Sequence, residues 1–226
     1  MSSKFVLGCA LSAMGVTSAS VFAGPEWVEM NDAGSTINTA QHTVGPSQLT
    51  SIAGHLGGLT ALAFGSVDYE DMYLIQITDP SAFSMQVTNA GFDAQLFLFN
   101  VTLPGEGFGL LANNDFGGSQ DPFIGNAATD ATGAQVKLPG IYAIAISGYG
   151  RDPVSLNGLI FNFADREEIS GADGPGGLNP LRMWTGEGET GDYNIELTGA
   201  APIDTPTPGA LAVFGLACVV RRNRHR

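Results

Sequence analysis

Apolar and polar residues alternate with a period of two over several short runs of this chain. Phe83-Ser84-Met85-Gln86-Val87 and Tyr193-Asn194-Ile195-Glu196-Leu197 place every second side chain on one face, as a half-buried strand does. Ile141, Ala143, Ala145 and Ser147 fall on one side of a third run, with Tyr142, Ile144 and Ile146 on the other. Residues 72–77 form a further apolar run that stops at the turn Thr78-Asp79-Pro80. Residues 95–99 are almost continuously apolar and predict a central strand. Residues 108–112 are placed to pair with it across Pro104-Gly105-Glu106-Gly107.

No long amphipathic helix is visible, and 39–54 is expected to hold at most one helical turn. The stretch 148–191 is rich in Gly, Asp and Pro around the apolar 159–163. It predicts a long excursion with one embedded strand. Strands of this length, separated by Gly, Pro and Asn/Asp turns, predict an all-β domain, an antiparallel β-sandwich of jelly-roll type.

Composition sharpens this reading. Of 226 residues, 31 are Gly and 12 are Pro, which suits many turns, and 44% are hydrophobic, enough for a core. Nine basic residues face 22 acidic ones, a net charge of −13, which repels nucleic acid. Residues 24–203 hold 21 of the acids but only Lys137, Arg151, Arg166 and Arg182 as cations, a net of −17. Some of these carboxylates must cluster, and clustered carboxylates need a cation or a raised pKa.

Both ends carry addresses. Lys4, an apolar 5–16 and the small-residue stretch ending in Val21-Phe22-Ala23 predict a signal peptide over 1–23, cleaved before Gly24 by signal peptidase. A membrane anchor is the other reading, though the apolar run is short of the ~20 residues a spanning helix needs. At the other end, 200–208 is expected to be a linker with the break Pro206-Thr207-Pro208. The apolar 209–220 and the basic 221–226 follow. Twelve helical residues would span about 18 Å, enough for transient membrane contact but short of a ~30 Å hydrocarbon core. The two cysteines, Cys9 and Cys218, lie in these ends, so the mature domain is expected to have no disulfide.

Catalytic signatures are missing. His42 and His55 belong to no nucleophile motif, and no G-x-S-x-G is present. Gly174-Pro175-Gly176-Gly177 lacks the Lys-Ser/Thr of a phosphate loop. Trp27 and Trp184 are expected to pack rather than to form a sugar platform. Asn113-Asn114-Asp115 and Asp121 are expected to form an Asx turn. Asp68 and Asp71, three apart in a loop, can converge on one hard cation such as Ca²⁺. Glu29, Asn31 and Asp32 offer the same oxygen chemistry, but sequence alone does not bring the two segments together.

Five blocks in order carry a resemblance. They are Glu29-Met30-Asn31-Asp32; Asp68 to Tyr73 as D-x-x-D-x-Y; Asp93-Ala94-Gln95-Leu96-Phe97-Leu98-Phe99; Asn113-Asn114-Asp115; and Gly140-Ile141-Tyr142-Ala143-Ile144-Ala145-Ile146. The series resembles the bacterial pre-peptidase C-terminal (PPC) domain over 24–199. The resemblance implies a non-catalytic β-sandwich accessory module of the kind that often sits beside secreted peptidases, with matrix polysaccharide or protein as its partner. It also implies a calcium site at Glu29, Asn31, Asp32, Asp68 and Asp71. Trp27 stands where members often have an acid, and the gap from Ser147 to Tyr193 is long for a minimal member. The tail resembles PEP-CTERM sorting signals, with Thr207 in place of the acidic residue. That implies processing by an exosortase-type enzyme, a plain anchor being the alternative. The expectation is an exported, surface or matrix protein that is structural or adhesive. The competing class is a secreted carbohydrate-active enzyme or carbohydrate-binding module.

Overall fold

The protein is described by a computed structural model over residues 26–58, 67–103 and 105–203. The expected signal peptide and C-terminal tail lie outside these residues, as does Pro104 of the predicted turn. In chain order the strands are β1 (Glu26–Val28), β2 (Gln41–His42), β3 (Ser51–His55), β4 (Glu70–Ile77) and β5 (Ser84–Thr88). Next come β6 (Ala94–Thr102), β7 (Glu106–Asn113), β8 (Phe123–Ile124), β9 (Gly140–Gly148) and β10 (Pro153–Ser155). The last are β11 (Gly158–Leu159), β12 (Ser170–Gly171), β13 (Met183–Trp184), β14 (Asp192–Thr198) and β15 (Ala200–Ala201).

Two sheets face each other. One has the order β1-β3-β14-β5-β8, and the other runs β12-β7-β6-β9-β4-β15. The pairings are antiparallel except for two short parallel ones, β1 on β3 and β2 on β4. Strands β2 and β15 share the outer edge of β4, on Tyr73–Leu74 and Gln76–Ile77 respectively. The protein is thus an all-β sandwich.

The period-two runs decide which residues meet between the sheets. Ile195 and Leu197 of β14, Met85 and Val87 of β5 and Ile52 of β3 pack against Tyr73, Ile75, Leu96, Leu98, Ile144 and Ile146. Burying an aliphatic or aromatic side chain of this size contributes about 1.5–3 kcal/mol, so this layer holds the sheets together.

A second core lies on the outer face of the larger sheet. Met72, Leu74, Phe97, Phe99, Ala143 and Ala145 point there and are covered by Ile160, Phe161, Leu181 and Trp184. Phe97 and Phe99 sit directly beside Ala145 and Ala143 in the register, so the alanines leave room for the rings. Phe97 meets Phe161 at 5.7 Å and Trp184 edge-on at 5.4 Å. This explains why 95–99 lacks polar alternation: both faces of β6 are buried.

The cover is the excursion 148–191. Its embedded strand is shorter than expected, only β11, because Ile160 and Phe161 leave the ladder to drop into the second core. The segment instead forms a small sheet, β11-β10-β13, and adds β12 to the edge of β7. A bulge in β7 opposite Leu98/Phe99 brings Gly109 under the excursion. A Cβ there would overlap Ile160 and lie 2.9 Å from Phe161.

Two further expectations are corrected. The segment 39–54 holds β2 and part of β3 rather than a helical turn. Residues 200–203 are not linker: β15 pairs with β4, and the Ile203 amide donates to the Thr43 carbonyl at 2.8 Å. Among the described residues no helix is long and apolar enough to cross a membrane.

Candidate metal centre

Successive side chains of a strand point to opposite faces, and β4 uses this at its first two positions. Glu70 points to the outer face, where Arg151 grips it through Nε at 2.7 Å and Nη2 at 3.1 Å. Asp71 points inward, toward the mouth between the sheets. There Tyr193 of β14, the inward residue at the start of its alternation, donates its hydroxyl to Asp71 Oδ2 at 2.6 Å. With that proton committed, the Tyr73 hydroxyl donates to Tyr193 at 2.6 Å. The Ala33 amide donates to Asp71 Oδ1 at 3.3 Å.

The segment after β1 brings in the second motif. Glu29 is held by its backbone, which donates to the Ala53 carbonyl at 2.9 Å, and its Oε2 accepts from the His55 amide at 2.8 Å. Gly54 makes this approach possible, since a Cβ there would overlap the Tyr193 hydroxyl and lie 2.9 Å from Glu29 Oε2. One carboxylate oxygen each from Glu29, Asp68 and Asp71 lies within 4.8 Å of the others. Asp68 and Asp71 are only 6% and 0% exposed.

The electrostatics are strained accordingly. Burial, followed by the charges of Asp32 and Glu29, pushes the Asp68 carboxyl up to about 7. Asp71 is held well above the usual carboxylate range by burial and then by Asp68 and Glu29, against the opposing hydrogen bonds from Tyr193 and Ala33. Burial also raises Glu29. Glu29 Oε1 is buried with no hydrogen-bond partner among the described residues. Three converging carboxylates and an orphaned oxygen are the donor set a hard divalent cation takes, so these residues fit Ca²⁺.

The other two expected ligands have different places. Asp32 is half-buried, and its Oδ1 accepts from the Gly34 amide at 2.6 Å. Its charge acts on Glu29 and Asp68. Asn31 is exposed and adopts φ 67°, a left-handed turn that Asn tolerates. That turn folds the chain back so that Ala33 can reach Asp71. Sequence reading missed Tyr73, Tyr193 and Gly54. Alternation along 193–197 would have aimed Tyr193 inward, whereas the apolar run 72–77 gave no such direction for Tyr73.

Elsewhere, His42 and His55 are exposed, and His55 Nδ1 lies 2.7 Å from Asp192 Oδ1 on the surface. Trp184 packs in the second core and donates to the Ser35 carbonyl at 2.8 Å. Trp27 packs against the inner core and donates to Gln41 Oε1 at 2.8 Å. Asn113, Asn114 and Asp115 are buried rather than forming a solvated Asx turn, with exposures of 0%, 5% and 6%. No protein-family model matches the chain, and no curated protein matches it.

Proposed function

We propose that this protein is an exported, non-catalytic structural or adhesive module whose sandwich is stabilised by Ca²⁺. The observation that carries the reading is the convergence of Glu29 with Asp68 and Asp71 across the mouth of the sandwich. Strand β1 is an edge strand held by three residues of parallel pairing, a weak attachment. A cation shared by Glu29 and β4 would tie that edge to the larger sheet. It would also replace the protons that the raised carboxyls otherwise hold. With no disulfide in the mature domain, such an ion is a main source of stability outside the core.

Export rests on the signal-like 1–23, with cleavage before Gly24. Surface or matrix placement rests on the tail 209–226, through transient membrane contact and an exosortase-type enzyme. The partners of this reading are a matrix polysaccharide or protein.

An ion binding only the folded state stabilises it by ~2.7 kcal/mol at a hundredfold excess over Kd. For a chain of this size that is roughly 5–10 °C in Tm. Melting in calcium and in chelator tests it. Asp68→Asn and Asp71→Asn should lose most of the calcium-dependent gain, while Asp121→Asn and Asp173→Asn keep it. A wild-type melting curve indifferent to calcium and chelator sinks the metal reading. Intact mass of exported protein tests the rest: a chain retaining Met1 refutes signal cleavage, and one retaining Arg226 refutes tail processing.

A further inference from the structure

A cavity of about 500 Å³ opens on the outer side of the larger sheet, where the excursion begins. It is lined by Asp93 just before β6, Gln95 at the start of β6, and Asn114 just beyond β7. Gln95 shares the outward face of Phe97 and Phe99, but ends the apolar row with an amide. Tyr149 and Phe163 form aromatic walls, and Arg166 and Asp152 complete the lining.

Three buried oxygens, Asp93 Oδ1, Gln95 Oε1 and Asn114 Oδ1, have no hydrogen-bond partner among the described residues. All three belong to residues that line this one cavity. Gln95 and Asn114 are 2% and 5% exposed. An unmet buried acceptor costs about 1–3 kcal/mol, so three in one place are a concentrated deficit.

Their orientation is fixed by what lies behind them. Gln95 Nε2 donates to Asp152 Oδ1 at 3.2 Å, and Asn114 Nδ2 donates to Asp115 Oδ1 at 3.2 Å. Flipping either amide would set an oxygen against a carboxylate, so the nitrogens are the bonded ends and the oxygens are the unpaired ones. Asp93 Oδ2 is taken by Gln120 Nε2 at 2.8 Å, which leaves Oδ1 unpaired. The lining itself carries the carboxylates of Asp93 and Asp152, so it suits an occupant that brings donors.

A single metal ion fits poorly. Among the described residues the one group of three carboxylates close enough to share an ion is Glu29, Asp68 and Asp71, none of which lines this cavity. The volume falls in the ~300–1,000 Å³ range of small-molecule sites. Hydroxyl groups supply spaced donors, and their bonds to a carboxylate are the strong, charge-assisted kind. The aromatic walls suit the apolar C–H face of a sugar ring. Arg166 at the rim can donate to ring or hydroxyl oxygens. Asp93 and Asp152 outnumber Arg166 in the lining and oppose an acidic sugar.

We infer that this cavity is a carbohydrate subsite that takes one neutral sugar ring. The inference does not depend on the calcium reading. It is tested by saturation-transfer NMR and calorimetry on the full chain, with the methyl glycosides of glucose, galactose and mannose and with glucuronate. At least one neutral glycoside is expected to bind in the millimolar range, with glucuronate binding more weakly. Asp93→Asn removes one of the two lining carboxylates and turns its unpaired acceptor into a donor, because Gln120 still demands an oxygen on the other side. It should weaken binding about tenfold with the melting curve preserved. Tyr149→Ala, at an exposed wall position, should do the same. Failure of all three glycosides overturns the inference, as does tighter binding of glucuronate. Glycoside binding that both variants leave unchanged also overturns it, by placing the sugar elsewhere.

Discussion

Replacing Arg151 with Met tests whether the excursion is fastened to the sandwich by a buried ion pair. Arg151 makes two bonds to Glu70, donates to the carbonyls of Thr185 and Gly186, and lies 5.5 Å over the Tyr69 ring. The two charged side chains are 19% and 7% exposed. Methionine keeps much of the aliphatic volume but strands the Glu70 carboxylate out of water. Breaking a buried pair in this way costs about 3–5 kcal/mol, whereas an exposed pair is worth about 0–1 kcal/mol. Urea denaturation in saturating calcium, read by linear extrapolation, separates these outcomes. Arg151→Met should lose several kcal/mol and become sensitive to proteolysis within 148–191. The double variant Glu70→Gln with Arg151→Met should be less destabilised than Arg151→Met alone, because no anion is stranded. A loss below about 1 kcal/mol, or a double variant equal to the sum of the singles, would refute the reasoning.

Other outcomes follow from the same geometry. Phe97→Ala empties the centre of the second core and should cost about 3–5 kcal/mol in urea unfolding; a loss under ~1 kcal/mol would mean the excursion covers little. Gly54→Ala places a methyl against the Tyr193 hydroxyl and Glu29, so it should lower Tm and blunt the calcium response together; an unchanged calcium response would detach Gly54 from the site. The folded carboxyl of Asp68 sits at about 7, above an unfolded value of ~3.9. Its contribution is full below the unfolded value and is lost as pH rises through the folded one. The Tm of the calcium-free protein should therefore fall between about pH 5 and about pH 8, more steeply than that of Asp68→Asn. Equal slopes would count against the raised carboxyl.

Period and turn chemistry, both local properties, were enough to find the long strands. Alternation along β5, β9 and β14 assigned each side chain to a face, and the packing follows it: Ile144 and Ile146 turn inward and Ala143 and Ala145 outward. The apolar run 95–99 marked a strand buried on both sides, although nothing local said what covered the second side. The acidic motifs at 29–32 and 68–71 were likewise legible as oxygen-rich segments. Their meeting was not, because it depends on β1 lying along β3 and on Tyr193 crossing over Gly54. The excursion was the least legible part for a related reason. Its backbone bonds are spread over two-residue pairings, so neither period develops, and Ile160 and Phe161 are placed by the sheet beneath them. Asn113, Asn114 and Asp115 show the same limit. Their composition suits a solvated turn, but the excursion closes over them and buries their polar groups, with Asn114 in the cavity lining. Local sequence set strand identity and facing, since these depend on neighbours in the chain. Convergence of carboxylates and enclosure of amides depend on segments far apart, and only the tertiary fold brings those together.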